Sequence, residues 1–448
     1  MSLITDTFID LLLDYAKKEI NKDVYEQTKK CLIDYLGVTY AGSVLLKEKT
    51  SDYISIAGYN NKGVKAIGLN HQASLLEAAF INGLNAHVAE LDDGERYGMF
   101  HPGAVVFSAL IPVSQFFEIS VDSFIRAAIL GYEASIRLGR SLQPYLKDKG
   151  FHGTGICGIF GAAIASGVAL SFSKQELKDT LSAAATFSSG LLKVIKGRSE
   201  MKPFNVANAA KNGLNAALLV KSGFTGPDDV FDGKMGFLNA FTGFFDKEML
   251  LEERESFSIM QIYMKPYAAC RHCHPAIEAA LNIKRKHRLT VNSIRSVTVE
   301  TYFWAVDGHE HTKIEGVSSA KMSTPFSVAV ALHKDKAGIN EFTDSNIDDD
   351  SIKTLTQKVS VITNDNLTAL VPQKRGAIVS VETNDNEIFT ERIDYPKGEP
   401  ESPLTLMDIK EKFMALTQFG GLELEYSLSL YECIIDIENR FKELLNAI

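Results

Sequence analysis

The chain has 448 residues, 45% hydrophobic and 23% charged, with a formal net charge of −9. That length exceeds what one core usually organises, so two domains are expected. The acidic balance disfavours nucleic acid or an anionic membrane as the partner, since these need a basic face, and any cation that holds an anionic substrate must be placed locally.

The first residues, Met1 to Asp23, lack a basic segment followed by an uninterrupted apolar stretch. Nowhere do about twenty apolar residues run together without charges. The five cysteines are odd in number and sparse, which argues against a disulfide framework. A soluble chain in the reducing cytoplasm is the expectation.

Helical spacing dominates up to about residue 265. It runs through Val24, Cys31, Tyr35 and Val38, then Leu75, Ala79, Leu84, Val88 and Leu91, then Phe124, Ala127, Leu130, Ala134 and Leu138. Ser173-Lys-Gln-Glu176 has capping-box spacing and opens a further helix. Small residues crowd Gly161–Gly167 and Ala207–Ala210, permitting close helix packing. After Pro275 the period changes. Val297, Val299, Thr301 and Phe303 alternate with polar residues, as do Ala377, Val379, Val381 and Thr383 before a turn at Asn384–Asn386, so strands are predicted there. An apolar helix-like run, Phe326–Leu332, lies between them, and Asp348–Asp350 reads as a solvated loop. Tyr395–Pro403 is rich in breakers and reads as a linker, after which helical spacing returns at Thr405. The fold class is therefore mainly α, with a large all-helical domain (1–266 and 404–448) into which a smaller α+β domain (267–403) is inserted.

Two local patterns match known motifs without their context. Gly153-Thr-Gly-Ile-Cys-Gly158 fits G-x-G-x-x-G, but Leu142–Lys149 before it does not read as the strand that a dinucleotide fingerprint requires. Cys270-Arg-His-Cys273-His274 fits the haem-attachment pattern C-x-x-C-H, without an export signal, and also offers a zinc-type donor set. The histidines and lysines are more informative. His101 precedes Pro102-Gly103 after the acidic run Glu90–Asp93, His152 sits in a glycine-rich loop, and His272 and His274 follow Lys265-Pro266. Breaker-rich ends of helices are where side chains from separate segments converge. Imidazole or lysine can take a proton α to a carboxylate, and cations such as Lys202, Lys265 and Arg271 can hold carboxylates and a developing enolate. Glu90, Asp92 and Asp93 can orient a histidine. Singly, each of these is more often a structural histidine or a helix cap.

The wording of several segments resembles the MmgE/PrpD family, which includes 2-methylcitrate dehydratase, cis-aconitate decarboxylase and iminodisuccinate epimerase. The matching stretches are Ile81–His87 through Asp92-Asp93 and His101-Pro-Gly103; Gly131-Tyr-Glu133 with Arg137–Arg140; Gly150–Thr154 with Gly158–Gly161; Ala209–Gly213 with Gly223–Pro227; Lys265-Pro-Tyr267 with Arg271–Pro275; and Tyr395–Gly398. They follow the family's order over nearly the whole chain. The resemblance implies the same two-domain fold, usually as a homodimer, an active site in the cleft between the domains, and no metal or organic cofactor. Carried over by position, the catalytic residues are His101, His152 and Lys202, with Asp92, Asp93, Lys265, Arg271, His272 and His274 around a small polycarboxylate. Where decarboxylase-type members have Asp-aromatic-Asp-Asp-Thr, this chain has Glu90–Gly94; where they have a histidine five residues after the lysine, it has Cys270; and Phe326 stands in place of a tyrosine. These departures weigh against decarboxylation of cis-aconitate, and dehydration of a 2-methylcitrate-like hydroxy acid is the expectation. Epimerisation of an iminodisuccinate-like dicarboxylate and decarboxylation of cis-aconitate are the alternatives, and a non-catalytic polycarboxylate- or zinc-binding protein is the alternative from another class.

Overall fold

The structure is a computed structural model that describes residues 3–57, 63–69, 72–195 and 199–448. Its architecture is mainly α with a smaller α+β portion, as the hydrophobic periods imply. The chain forms two compact units, one of Met1–Lys193, Met201–Tyr263 and Thr405–Ile448, the other of Val194–Glu200 and Met264–Leu404. Among the described residues no helix is long and apolar enough to cross a membrane.

The first unit is built on long helices with well-formed starts. The Asn21 side chain accepts a bond from the Val24 amide to open Lys22–Leu45, Ser74 does the same for Leu75–Val88, and Ser173 with Glu176 forms the capping box of Lys174–Phe187. Pro102–Phe117 and Gly153–Ala169 are apolar all round, and nearly every residue of each is buried, so both serve as the interior of the bundle. Val121–Leu142 and Lys202–Lys221 pack on Gly153–Ala169, Lys202–Lys221 also packs on Leu75–Val88, and Leu406–Phe419 returns to Lys22–Leu45. The G-x-G-x-x-G run starts the Gly153–Ala169 helix rather than following a strand. A Cβ at Gly155 would stand 2.4 Å from the Ser189 carbonyl oxygen, so close packing explains that glycine. Close approach also governs Gly83, where a Cβ would meet Ala207 Cα at 2.6 Å, so the Leu75–Val88 and Lys202–Lys221 helices touch backbone to backbone.

The second unit holds a four-stranded sheet in the order Val359–Thr363, Ile294–Thr301, Ala377–Thr383, Ile388–Ile393, the first pair parallel and the others antiparallel. Val297, Val299, Val379 and Val381 are buried on one face, and His274–His287 packs on the last two strands. Three local readings differ from the sequence pattern. The strand stops at Thr301, and Phe303–Val306 is a helical turn that leaves the Phe303 ring half exposed rather than continuing the buried alternation. The Asp348–Asp350 run is not a loop: Asp349 accepts the Ser351 and Ile352 amides and caps the helix Asp350–Gln357. Tyr395–Pro403 is an ordered turn rather than a loose linker. Gly398 there has φ +99° and its carbonyl accepts the Met264 amide, while Glu399 is buried.

Candidate active site

Helix ends assemble the cluster in the first unit. His87 lies in the last turn of Leu75–Val88, His101 is the N-cap of Pro102–Phe117, His152 is the N-cap of Gly153–Ala169, and Lys202 is the first residue of Lys202–Lys221. The loop joining the first two helices turns back through left-handed backbone at Glu90 (φ 56°) and Met99 (φ 54°), a conformation that side-chain-bearing residues rarely adopt. That reversal sets the His87 and His101 rings 4.8 Å apart and the His87 and His152 rings 6.1 Å apart.

Hydrogen bonds fix which nitrogen of each ring carries a proton. His101 Nδ1 is 2.7 Å from the Asp93 carbonyl oxygen, an acceptor only, so Nδ1 carries the hydrogen and Nε2 presents a lone pair. The Asp92 carboxylate lies 3.4 Å from the same Nδ1 and stabilises an imidazolium there. Asp92 also accepts from His87 Nδ1 at 2.7 Å; His87 Nε2, fully buried, makes no hydrogen bond among the described residues and lies 3.9 Å from Glu90. His152 has the opposite tautomer. Asn205 Nδ2 must donate to the Leu191 carbonyl at 3.2 Å, and the same nitrogen is 3.1 Å from His152 Nδ1, which therefore accepts. The His152 hydrogen is on Nε2, 3.4 Å from Thr154 Oγ1. Burial, with the Lys202 ammonium and two imidazoles close by, holds the His152 pKa well below the ordinary histidine range, so the ring is neutral at pH 7.

Lys202 Nζ donates to Glu90 at 2.5 Å, which holds the ammonium at the edge of the histidine group. Both Asp93 carboxylate oxygens are engaged by the protein: Oδ1 accepts the Gly103 amide at 3.0 Å and Oδ2 the Tyr132 hydroxyl at 2.6 Å. Burial, reinforced by Asp34 and Asp92 against those two bonds, pushes its pKa up to about 8.

The remaining predicted positions, Lys265, Arg271, His272 and His274, belong to the second unit. Arg271 donates to Glu399 at 2.7 Å in a buried pair, and His274 Nε2 is 3.1 Å from the Ala269 carbonyl. Lys265 is 1% exposed. His272 Nδ1 is 2.5 Å from the Tyr302 hydroxyl and its ring packs on that of His309. Among the described residues, two groups have the donor types and spacing of a metal site: His87, Asp92 and His101 in the first unit, and Cys270, His272 and His309 in the second.

Sequence reasoning did not single out His87, Thr154, Asn205 or His309. His87 carried a signal in its spacing, five residues before Asp92 at a helix end. Asn205 and Thr154 carried none, because a polar residue within an alanine-rich helix or after a histidine gives no hint of which ring nitrogen it will meet.

Residues 7–250 match the model of the MmgE/PrpD N-terminal domain and residues 267–423 that of the MmgE/PrpD C-terminal domain. The chain is 26% identical over 443 residues to the cis-aconitate decarboxylase-like protein oryM of Aspergillus oryzae, covering 92% of this chain and 90% of that protein. It is 23% identical to the human cis-aconitate decarboxylase, covering 92% and 87%, and 21% identical to the mouse cis-aconitate decarboxylase, covering 92% and 86%.

Proposed function

The chain belongs to the MmgE/PrpD family, and from that premise we propose that it is a lyase that moves a proton at the carbon α to a carboxylate of a small polycarboxylate, dehydrating a 2-methylcitrate-like hydroxy acid. The observation that carries the reading is the pair of oppositely set imidazoles, His101 with a basic Nε2 and His152 with a neutral Nε2–H. His101 Nε2 takes the α-proton, and Asp92 stabilises the resulting imidazolium. His152 Nε2–H and the Lys202 ammonium hold the enolate oxygens; a neutral imidazole donor of this kind stabilises charge without surrendering its proton. The β carbon–oxygen bond then breaks, and the departing hydroxide takes the proton from His101 and leaves as water. His101, His152 and Lys202 each begin a helix, whose dipole favours an anion at that end, so a polyanionic substrate suits the site even on a chain of net charge −9.

A second reading, decarboxylation, is favoured by the relatives, which are named for cis-aconitate. The same groups serve it with His101 starting protonated: the carbon–carboxylate bond breaks, His152 and Lys202 hold the electron pair, and the imidazolium protonates the carbon. The two readings differ in the pH dependence of kcat/KM, because dehydration needs neutral His101 and loses rate as pH falls, whereas decarboxylation needs the imidazolium and loses rate as pH rises. The test is incubation with 2-methylcitrate, citrate, cis-aconitate and iminodisuccinate, followed by proton NMR. Loss of water from a hydroxy acid is expected. Carbon dioxide released from cis-aconitate replaces dehydration with decarboxylation, and α-hydrogen exchange with no net reaction overturns both in favour of an epimerase.

A further inference from the structure

Cys270, His272 and His309 place a sulfur and two imidazoles where all three ligand atoms lie within 4.8 Å of one another. We propose that these residues bind a thiophilic divalent cation of the zinc class. His309 is buried, and its Nδ1 is 2.6 Å from the Met322 carbonyl, an acceptor that requires the ring hydrogen on Nδ1. The Nε2 lone pair is thereby turned toward Cys270 Sγ, 4.0 Å away. The buried Tyr302 hydroxyl, 2.5 Å from His272 Nδ1, holds the orientation of that ring. Hydrogen bonds from the far nitrogen to a carbonyl or hydroxyl are how metal-ligating histidines are oriented. Bond lengths of about 2.3 Å to sulfur and 2.0–2.1 Å to nitrogen put tetrahedral sulfur and nitrogen ligands about 3.6 Å apart, so the Cys270–His309 separation closes onto a cation with a shift of a few tenths of an ångström. One thiolate and two imidazoles form a donor set suited to zinc, and three protein ligands leave a fourth position for water or a carboxylate oxygen.

The His87, Asp92 and His101 group is the weaker candidate. Its Asp92 carboxylate already accepts from His87 Nδ1, and His101 Nδ1 is bonded to the Asp93 carbonyl, so the nitrogens that face the carboxylate are occupied by hydrogens. The proposal concerns cation binding in the second unit, read on the chain without substrate, so its outcome is separate from that of the substrate assay that tests the lyase reading.

Cobalt(II), a spectroscopic substitute for zinc, tests it on the full chain after dialysis against a chelator. One equivalent should bind and produce a thiolate-to-cobalt charge-transfer band, and zinc should displace it. Cys270→Ser should abolish the band, and His309→Gln should weaken binding roughly tenfold or more. A Cys273→Ser variant should keep the band, because that buried thiol accepts from the Thr324 hydroxyl at 3.4 Å and is not in the donor set. Binding without a charge-transfer band, a band that survives in Cys270→Ser, or no binding at one equivalent overturns the proposal. Should Cys270→Ser fail to fold, weakened cobalt binding in His309→Gln together with an unchanged band in Cys273→Ser reads the same site, and unchanged binding in His309→Gln overturns it.

Discussion

At the scale of single residues, the account rests on tautomers, and these are testable by substitutions that change hydrogen bonding more than shape. His152→Ala should lower turnover by roughly a hundredfold or more, as loss of a donor to a developing oxyanion does, with an unchanged circular dichroism spectrum. Near wild-type turnover would remove His152 from the mechanism. Asn205→Asp replaces the donor facing His152 Nδ1 with an acceptor, so the ring hydrogen moves to Nδ1 and the Nε2–H is lost. Turnover should fall roughly tenfold or more, by analogy with loss of a group that orients a ligand's ring, and Asn205→Gln should retain more activity than Asn205→Asp. Asp93 gives a prediction about stability. Its carboxyl is protonated more readily in the folded chain, with a pKa of about 8 against an ordinary value near 4. The associated stabilisation is complete below about pH 4 and is lost as pH rises through about 8. Asp93→Asn, which stays neutral, should therefore gain in Tm relative to the parent between pH 5 and pH 8; a Tm difference that is flat with pH would contradict the buried, raised carboxyl. The placement of His101, His152 and Asp92 near helix ends was legible in the sequence because they sit in breaker-rich, family-like segments, whereas Lys202 was carried over by its position in the resemblance. His87 and Asn205 were not, since their meaning lies in a partner brought close by a left-handed turn at Glu90 and by a neighbouring helix.

At the scale of elements, the site's precision depends on how closely helices approach. Gly83 lets Leu75–Val88 lie against Ala207 of Lys202–Lys221, and those helices carry His87 on one side and Lys202 and Asn205 on the other. Gly83→Ala should cost about 1–3 kcal/mol of stability from overpacking. It should also lower turnover at a temperature where the variant is fully folded, because separating the helices moves Lys202 from Glu90 and Asn205 from His152. A loss of Tm with unchanged turnover would show that the helix contact serves stability alone. Most elements could be read from period and caps: the Ser173 capping box and the alternation from Ala377 to Thr383 appear as expected. The exceptions are places where a local bond outweighed composition. Asp349 turned an acidic run into a helix cap, and the buried Glu399 paired with Arg271 ordered a segment whose prolines and glycine suggest slack.

At the scale of the whole molecule, a mainly helical chain with a smaller α+β portion follows from the change of hydrophobic period after Pro275, and family membership accounts for both parts. Composition could not choose among dehydration, decarboxylation and epimerisation, which share α-carbon proton transfer and differ in which bond breaks next. The most direct measurement is solvent-deuterium incorporation at the α carbon of the substrate identified by NMR, followed in the parent, His101→Gln and His152→Gln. Incorporation should be lost in His101→Gln and slowed, not lost, in His152→Gln. Exchange at the parent rate in His101→Gln would contradict the assignment of His101 as the base.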